Sequence, residues 1–183
     1  MALAFVNLND SIKEDTCNTF VKKILDSNHE SVIEHFSITF KMVCSRACSH
    51  QLVRHRLASY SQESQRYVNY SRGKFGSQIT YIKPLDFDQM TTEQQFGYKL
   101  ALEKCEKSYL ELINLGLKPQ QARGVLPNDT KTEVMVTMNL RSLRHFLKLR
   151  TDKHAQLEIR YLSNQLLSKL KQDLPILFSD IGD

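Results

Sequence analysis

At 183 residues the chain has the length of one domain, long enough to bury roughly two thirds of its unfolded surface in a single core. Lys and Arg number 25 against 20 Asp and Glu, a net charge of +5 that favours anionic partners such as nucleotides, polyphosphates or nucleic acid without choosing among them. The 4 cysteines are too sparse for a disulfide scaffold, no charged-then-apolar leader opens the chain, and no apolar run approaches the roughly 20 residues of a membrane span. A reducing cytoplasm is the expected compartment.

In chain order, residues 13 to 26 read as a short helix with Phe20, Ile24 and Cys17 toward one side, ended by Ser27-Asn28. Glu34 to Val43 alternates, with Phe36, Ile38, Phe40 and Met42 on one face, and predicts a half-buried strand. From Ser45 the period changes, and a helix is expected to run into Arg54, His55 and Arg56. Residues 64 to 70 predict another strand, on which Ser64 and Arg66 point the same way, and 79 to 82 a further short one. Thr91 or Thr92 caps a long helix whose Tyr98, Leu102, Cys105, Tyr109 and Ile113 follow helical spacing, with Gly116 at its stop. Thr130 to Met138 alternates as a strand, followed by helices over about 141 to 150 and 154 to 171 and a last turn after Pro175. Strands and helices without strict βαβ alternation predict an α+β domain over 1–183, with an antiparallel or mixed sheet flanked by helices. Neither a repeat nor a linker divides it.

The chemistry concentrates in residues 54 to 66: Arg54-His55-Arg56, seven residues, then Ser64-Gln65-Arg66. Arginine keeps its charge at any working pH and offers a planar fork of donors that matches phosphate and carboxylate oxygens two at a time. With the interleaved Ser59-Tyr60-Ser61-Gln62, the segment predicts a pocket for an anionic ligand. Arg150 falls within the apolar arc of Leu143, Phe146 and Leu147. Either the helix ends there and the side chain snorkels, or it pairs with a core acid, or it aims a buried guanidinium at a ligand. Arg141 and His145, four apart, add a polar stripe to the same helix. Asn28-His29-Glu30-Ser31 with Glu34-His35, and Gln121-Ala122-Arg123-Gly124, are polar turns that solvation alone would explain.

Cys44, Cys48, His50 and His55 are zinc-binding types, but Cys-x3-Cys-x-His-x4-His does not suit a tetrahedral site across a strand-to-helix junction, and no metal is expected. Cys44 and Cys48 are read as buried small hydrophobes. No cysteine sits beside an activating base, so a thiolate nucleophile has no support. Neither a dinucleotide fingerprint nor a phosphate-binding glycine loop is present, so side chains must hold any nucleotide.

The arginine-histidine-arginine, seven, serine-any-arginine pattern resembles the signature of the flavin-dependent thymidylate synthases. The likeness extends to His29-Glu30-Ser31, Gln51 to Arg66, Ala122-Arg123 with Val125-Leu126-Pro127, Asn139-Leu140-Arg141-Ser142, and Arg150 with His154-Ala155-Gln156 and Glu158-Ile159-Arg160. This resemblance implies a homotetramer with active sites between subunits, FAD as hydride relay, NADPH as reductant, methylenetetrahydrofolate as carbon donor and dUMP as substrate. It implies that FAD is held by Ser31, Arg54, His55, Arg56, Gln62, Asn139, Arg141 and His145. It places dUMP on Gln51, Arg54, Gln62, Glu63, Ser64, Gln65, Arg66, Arg123 and Arg150, with Arg150 at the uracil edge as the catalytic charge. Gln62 stands where many members carry glutamate and His145 where some have asparagine, substitutions expected to be tolerated. The family's usual N-terminal strand and helix are expected to be missing. Nucleic acid and membrane are not expected partners. The rival reading is a non-catalytic basic nucleotide- or nucleic-acid-binding module that keeps the arginine pocket, although no basic stripe with interleaved aromatics appears.

Overall fold

Alternation in two long segments builds the sheet. A computed structural model describes residues 14–73, 76 and 78–182, with side chains from Asn18 onward. Strands β1 (Ser37–Ser45), β2 (Ala58–Gln62) and β3 (Lys131–Asn139) pair antiparallel in the order β1-β3-β2. Ile38, Met138 and Ala58 share one rung, Phe40, Val136 and Tyr60 the next, and Met42, Val134 and Gln62 a third. These side chains, all but Gln62 largely apolar, face the core, where Met42, Val134, Val136 and Met138 are buried. The other face is mostly polar, with Val43 and Met135 the exposed apolar exceptions: Thr39 Oγ1 lies 2.9 Å from Thr137 Oγ1, and Lys41 pairs with Glu133 at 3.3 Å.

Helices α1 (Glu14–Asp26), α2 (Arg46–Leu52), α3 (Thr92–Asn114), α4 (Pro119–Ala122), α5 (Leu140–Arg150), α6 (Leu157–Asp173) and α7 (Pro175–Phe178) complete the α+β fold. Leu143, Phe146 and Leu147 of α5, Ile159 of α6 and Phe178 of α7 are fully buried over the sheet. Each such side chain contributes about 1.5–3 kcal/mol relative to exposure. Ser45 starts α2 by accepting from Cys48 N at 3.0 Å, while its own N–H and Oγ–H donate to the Glu158 carboxylate at 2.7 and 2.6 Å. That carboxylate ties the start of α2 to α6. Thr91 and Gln94 form a reciprocal cap on α3, and Gly116 just past its end has φ +91°, a value that favours glycine. Tyr109 of α3 packs edge-on against Tyr70, 5.5 Å between ring centres, in a second apolar cluster with Ile79 and Ala122. No helix among the described residues is long and apolar enough to cross a membrane.

Several expectations are corrected. Residues 64 to 70 are not a strand: after Glu63 N donates to Glu133 O at 2.9 Å the chain leaves the ladder, and Ser64 O accepts from Tyr67 and Val68 N–H. Ser64 and Arg66 therefore share a turn, in which Arg66 N donates to Ser64 Oγ at 3.3 Å, rather than a strand face. The missed strand is β2, inside the signature, where Ser59 and Ser61 face outward and Tyr60 and Gln62 inward. The helix expected to reach Arg56 stops at Leu52, and Glu30–His35 forms a 3-10 turn, so β1 starts at Ser37 rather than Glu34. Around 79 to 82 there is a single bridge, Tyr81 to Thr130. All strand pairs are antiparallel, so the sheet is not mixed. Phe20 is exposed, whereas Ile24 is buried; Cys17 lies outside the described side chains.

The buried arginine of α5 is Arg144 rather than Arg150. At 3 % exposure, Arg144 forks onto Asp180, with N–O distances of 2.8 and 2.6 Å, and also donates to Leu177 O. The Arg144 guanidinium holds the Asp180 carboxyl below its ordinary range. A depressed carboxylate stabilises above its unfolded value of about 3.9 and stops doing so as pH falls through the folded value. Asp180→Asn is expected to lower unfolding free energy by about 2–4 kcal/mol near neutrality, below the full cost of breaking a buried pair because Asp180 is itself half exposed. Urea titration at pH 7 and again near pH 3 should show the difference shrinking with acid.

Candidate functional site

Helix α5 carries two faces. Its buried face anchors it to the sheet, and Asn139 Oδ1 accepts from Ser142 N at 2.8 Å to begin it. The stripe of Arg141, His145 and Leu149 is left facing a cleft of about 760 Å³. The opposite wall is the turn after α2, with Arg54, His55, Arg56 and Leu57, and the 3-10 segment adds Glu30 and Glu34. Arg54, Arg56 and Arg150 also line an adjoining hollow of about 540 Å³, together with His50 and Gln51. Four arginines thus converge on one concave surface, where low-dielectric walls strengthen attraction for an anion.

Two arginines are held by their neighbours. Arg141 pairs with Glu34 at 2.7 Å and Glu30 at 3.3 Å, contacts that hold its pKa above the ordinary value. Arg150, the last residue of α5, donates through Nε to His55 Nε2 at 2.9 Å. A guanidinium can only donate, so Nε2 carries the lone pair and the His55 proton sits on Nδ1. Burial, then Arg150 and His145, push the His55 pKa down to about 4, and the imidazole stays neutral near pH 7. Its ring meets Phe146 edge-on, 4.9 Å between centres. Arg54 and Arg56 have no ion pair among the described residues.

The predicted site residues fall into two groups. Arg54, His55, Arg56, Arg141, His145 and Arg150 share the cleft, and Gln51 joins at the adjoining hollow. The rest line neither. Ser31 is exposed on the 3-10 turn, and Asn139 caps α5. Gln62 sits on the core face of the sheet and donates through Nε2 to Ser49 Oγ at 2.9 Å and Thr132 Oγ1 at 3.3 Å. Glu63 lies 3.3 Å from Lys131 Nζ, Arg66 donates to Gln120 at 3.2 Å, and Arg123 is exposed just beyond α4. Ser64 and Gln65 stay in the turn with Arg66.

Sequence reasoning left Glu30, Glu34, Leu57, Ser142 and Leu149 unassigned. Glu34 and Arg141 are 107 residues apart, so no local spacing could pair them. Cys44 and Cys48 are both fully buried, as expected. A hydrogen bond with Cys44 and burial push the Cys48 thiol far up. No group of three or more metal-ligating side chains is arranged to hold an ion among the described residues.

Against this geometry, residues 3–176 match the family described as thymidylate synthase complementing protein. The chain is 40 % identical over 176 residues to the flavin-dependent thymidylate synthase of Geobacter sulfurreducens, covering 96 % of this chain and 74 % of that protein. It is 37 % identical over 162 residues to the Pyrococcus abyssi protein of the same name (88 % and 65 %). With the Clostridium tetani protein of that name it shares 37 % over 188 residues (93 % and 73 %). The chain therefore spans between 65 % and 74 % of the length of these relatives. A match that runs nearly from end to end, through both the turn and the helix that build the cleft, places this chain in the thymidylate synthase complementing protein family.

Proposed function

We propose that this protein is a flavin-dependent thymidylate synthase, converting dUMP to dTMP with methylenetetrahydrofolate as carbon donor and NADPH as reductant, in the cytoplasm. The observation that carries the reading is Arg150: it lines both the cleft and the adjoining hollow, between a surface suited to a flavin nucleotide and one suited to a smaller nucleotide.

The donor set fits FAD. Arg54 and Arg56, with no acid partner among the described residues, suit a diphosphate, each charge-assisted hydrogen bond contributing about 1.5–3 kcal/mol. Leu57 and Leu149 offer apolar surface to a ring system. Arg141 and His145 add donors, and the resemblance adds Ser31, His55, Gln62 and Asn139. Gln62 uses its Nε2 within the fold, which leaves Oε1 to accept. When bound, FAD would supply hydride transfer from NADPH, the chemistry that brings the methylene carbon to the methyl level at C5 of the pyrimidine.

The chain's own residues prepare the pyrimidine. A guanidinium at the uracil edge stabilises negative charge on N3 or its neighbouring oxygen, so electron density reaches C5 without a covalent enzyme adduct. Burial of both Cys44 and Cys48 supports this route over thiolate attack. Gln51 and Arg54 hold the same nucleotide from the hollow. Gln62, Glu63, Ser64, Gln65, Arg66 and Arg123 are its remaining assigned contacts, the last two suited to the phosphate. Because the segment from Glu63 to Arg66 and Arg123 lies off the cleft of its own chain, the site is read as completed by a second copy, in a homotetramer.

Arg150→Ala is expected to lower dTMP formation by about 100- to 1,000-fold with FAD largely retained, whereas Arg56→Ala loosens FAD by about 10- to 100-fold. Anaerobic single-turnover absorbance and flavin titration separate the two. Reduced flavin that fails to reoxidise with dUMP and methylenetetrahydrofolate together would sink the assignment. A site shared between copies makes a further prediction. Arg150→Ala and Arg123→Ala proteins, each impaired alone, should regain part of the wild-type rate when their subunits are mixed, measured as dTMP formed. Absence of recovery in confirmed mixed oligomers would place both arginines in one chain's site.

A further inference from the structure

We propose that His55, fixed to the sheet by Tyr60, is the positioning residue that sets the Arg150 guanidinium. The inference rests on the synthase reading for its substrate and on the geometry alone for the contact.

Arg150 ends α5, where an unpaired arginine would sample many rotamers. One contact removes most of that freedom. The Nε–H points at His55 Nε2, 2.9 Å away, so both terminal nitrogens, with their four N–H donors, remain for a ligand. A carboxylate in the same place would have neutralised the charge; a neutral imidazole orients it without doing so.

His55 is itself held at two points, one on its ring and one on its backbone. Its ring edge meets Phe146, which is fully buried one turn before Arg150 on the same helix. Its backbone carbonyl lies 2.7 Å from Tyr60 Oη, which is also 2.9 Å from Leu52 O. Tyr60 is half-buried on the Phe40–Val136–Tyr60 rung, and burial pushes its pKa up to about 12, so the hydroxyl keeps its proton as donor. The chain of contacts runs from the sheet centre through Tyr60 and His55 to Arg150. Arg150 and His145 of α5 are the cationic and titratable groups facing His55, and Tyr60 of β2 adds a neutral hydroxyl. Both α5 groups disfavour an imidazolium, which could no longer accept from Arg150.

Nitrogen NMR of histidine in the full chain tests the contact without any ligand. The expected result is His55 with Nδ1 protonated and Nε2 bare down to about pH 5, altered by Arg150→Ala. Protonation on Nε2 would overturn the proposal and leave the synthase reading standing. With FAD-loaded protein, dUMP binding should weaken by about 10- to 100-fold for His55→Leu, recover in part for His55→Gln, and weaken by about 10-fold or less for Tyr60→Phe. In an Arg150→Ala background, His55→Leu should add little. Equal loss in both backgrounds would show that His55 acts independently of Arg150. Failure of the wild-type protein to bind dUMP would count against the synthase reading, with the tautomer still deciding the contact.

Discussion

Four guanidinium groups converge on one cleft and repel one another, and the fold is arranged around holding them there. Three different solutions are visible. Arg141 is bracketed by two carboxylates, Arg150 is oriented by an uncharged imidazole, and Arg54 and Arg56 stand in the turn that flanks that imidazole. Helix α5 favours the arrangement, because its C-terminal turn carries partial negative charge where Lys148 and Arg150 sit. The cost of assembling like charges is met by packing: the opposite face of α5 is anchored by Leu143, Phe146 and Leu147.

The charge is concave and local. A nucleic-acid binder that tracks a backbone needs a stripe of cations with stacking aromatics between them. Here the cations face a cleft whose apolar lining is Leu57, Met138 and Leu149, a composition suited to a small planar ligand with anionic ends. The name carried by the relatives agrees with that shape.

Much of the fold was legible in the sequence, and the failures have physical causes. β1 and β3 announced themselves because each buries one face only, and α3 because its cap and stop are local signals. β2 escaped notice because its inward residues include Gln62, whose amide is satisfied by Ser49 and Thr132 rather than by water. The signature motif pointed to a cluster of arginines and the four-residue spacing of Arg141 and His145 to a polar stripe, and both line the one cleft. What spacing could not show is which arginine on α5 would be buried. Arg144 is neutralised by Asp180, far along the chain, whereas Arg150 escapes to the helix end. The division of the site residues into a cleft group and a separate group is equally invisible to one-dimensional pattern, since it depends on where β2 ends and the chain turns.

Asn139 illustrates a tighter constraint. Its Oδ1 is engaged in starting α5, and its Nδ2 amide is left to donate. Aspartate would begin the helix equally well but would offer no donor. Serine would cap and reach less far. Of the good capping residues, only asparagine combines the helix-starting acceptor with an amide donor, so a substitution there removes one or both. Tolerance at this position is therefore set by how well a side chain begins the helix, with the amide a second property that only asparagine brings.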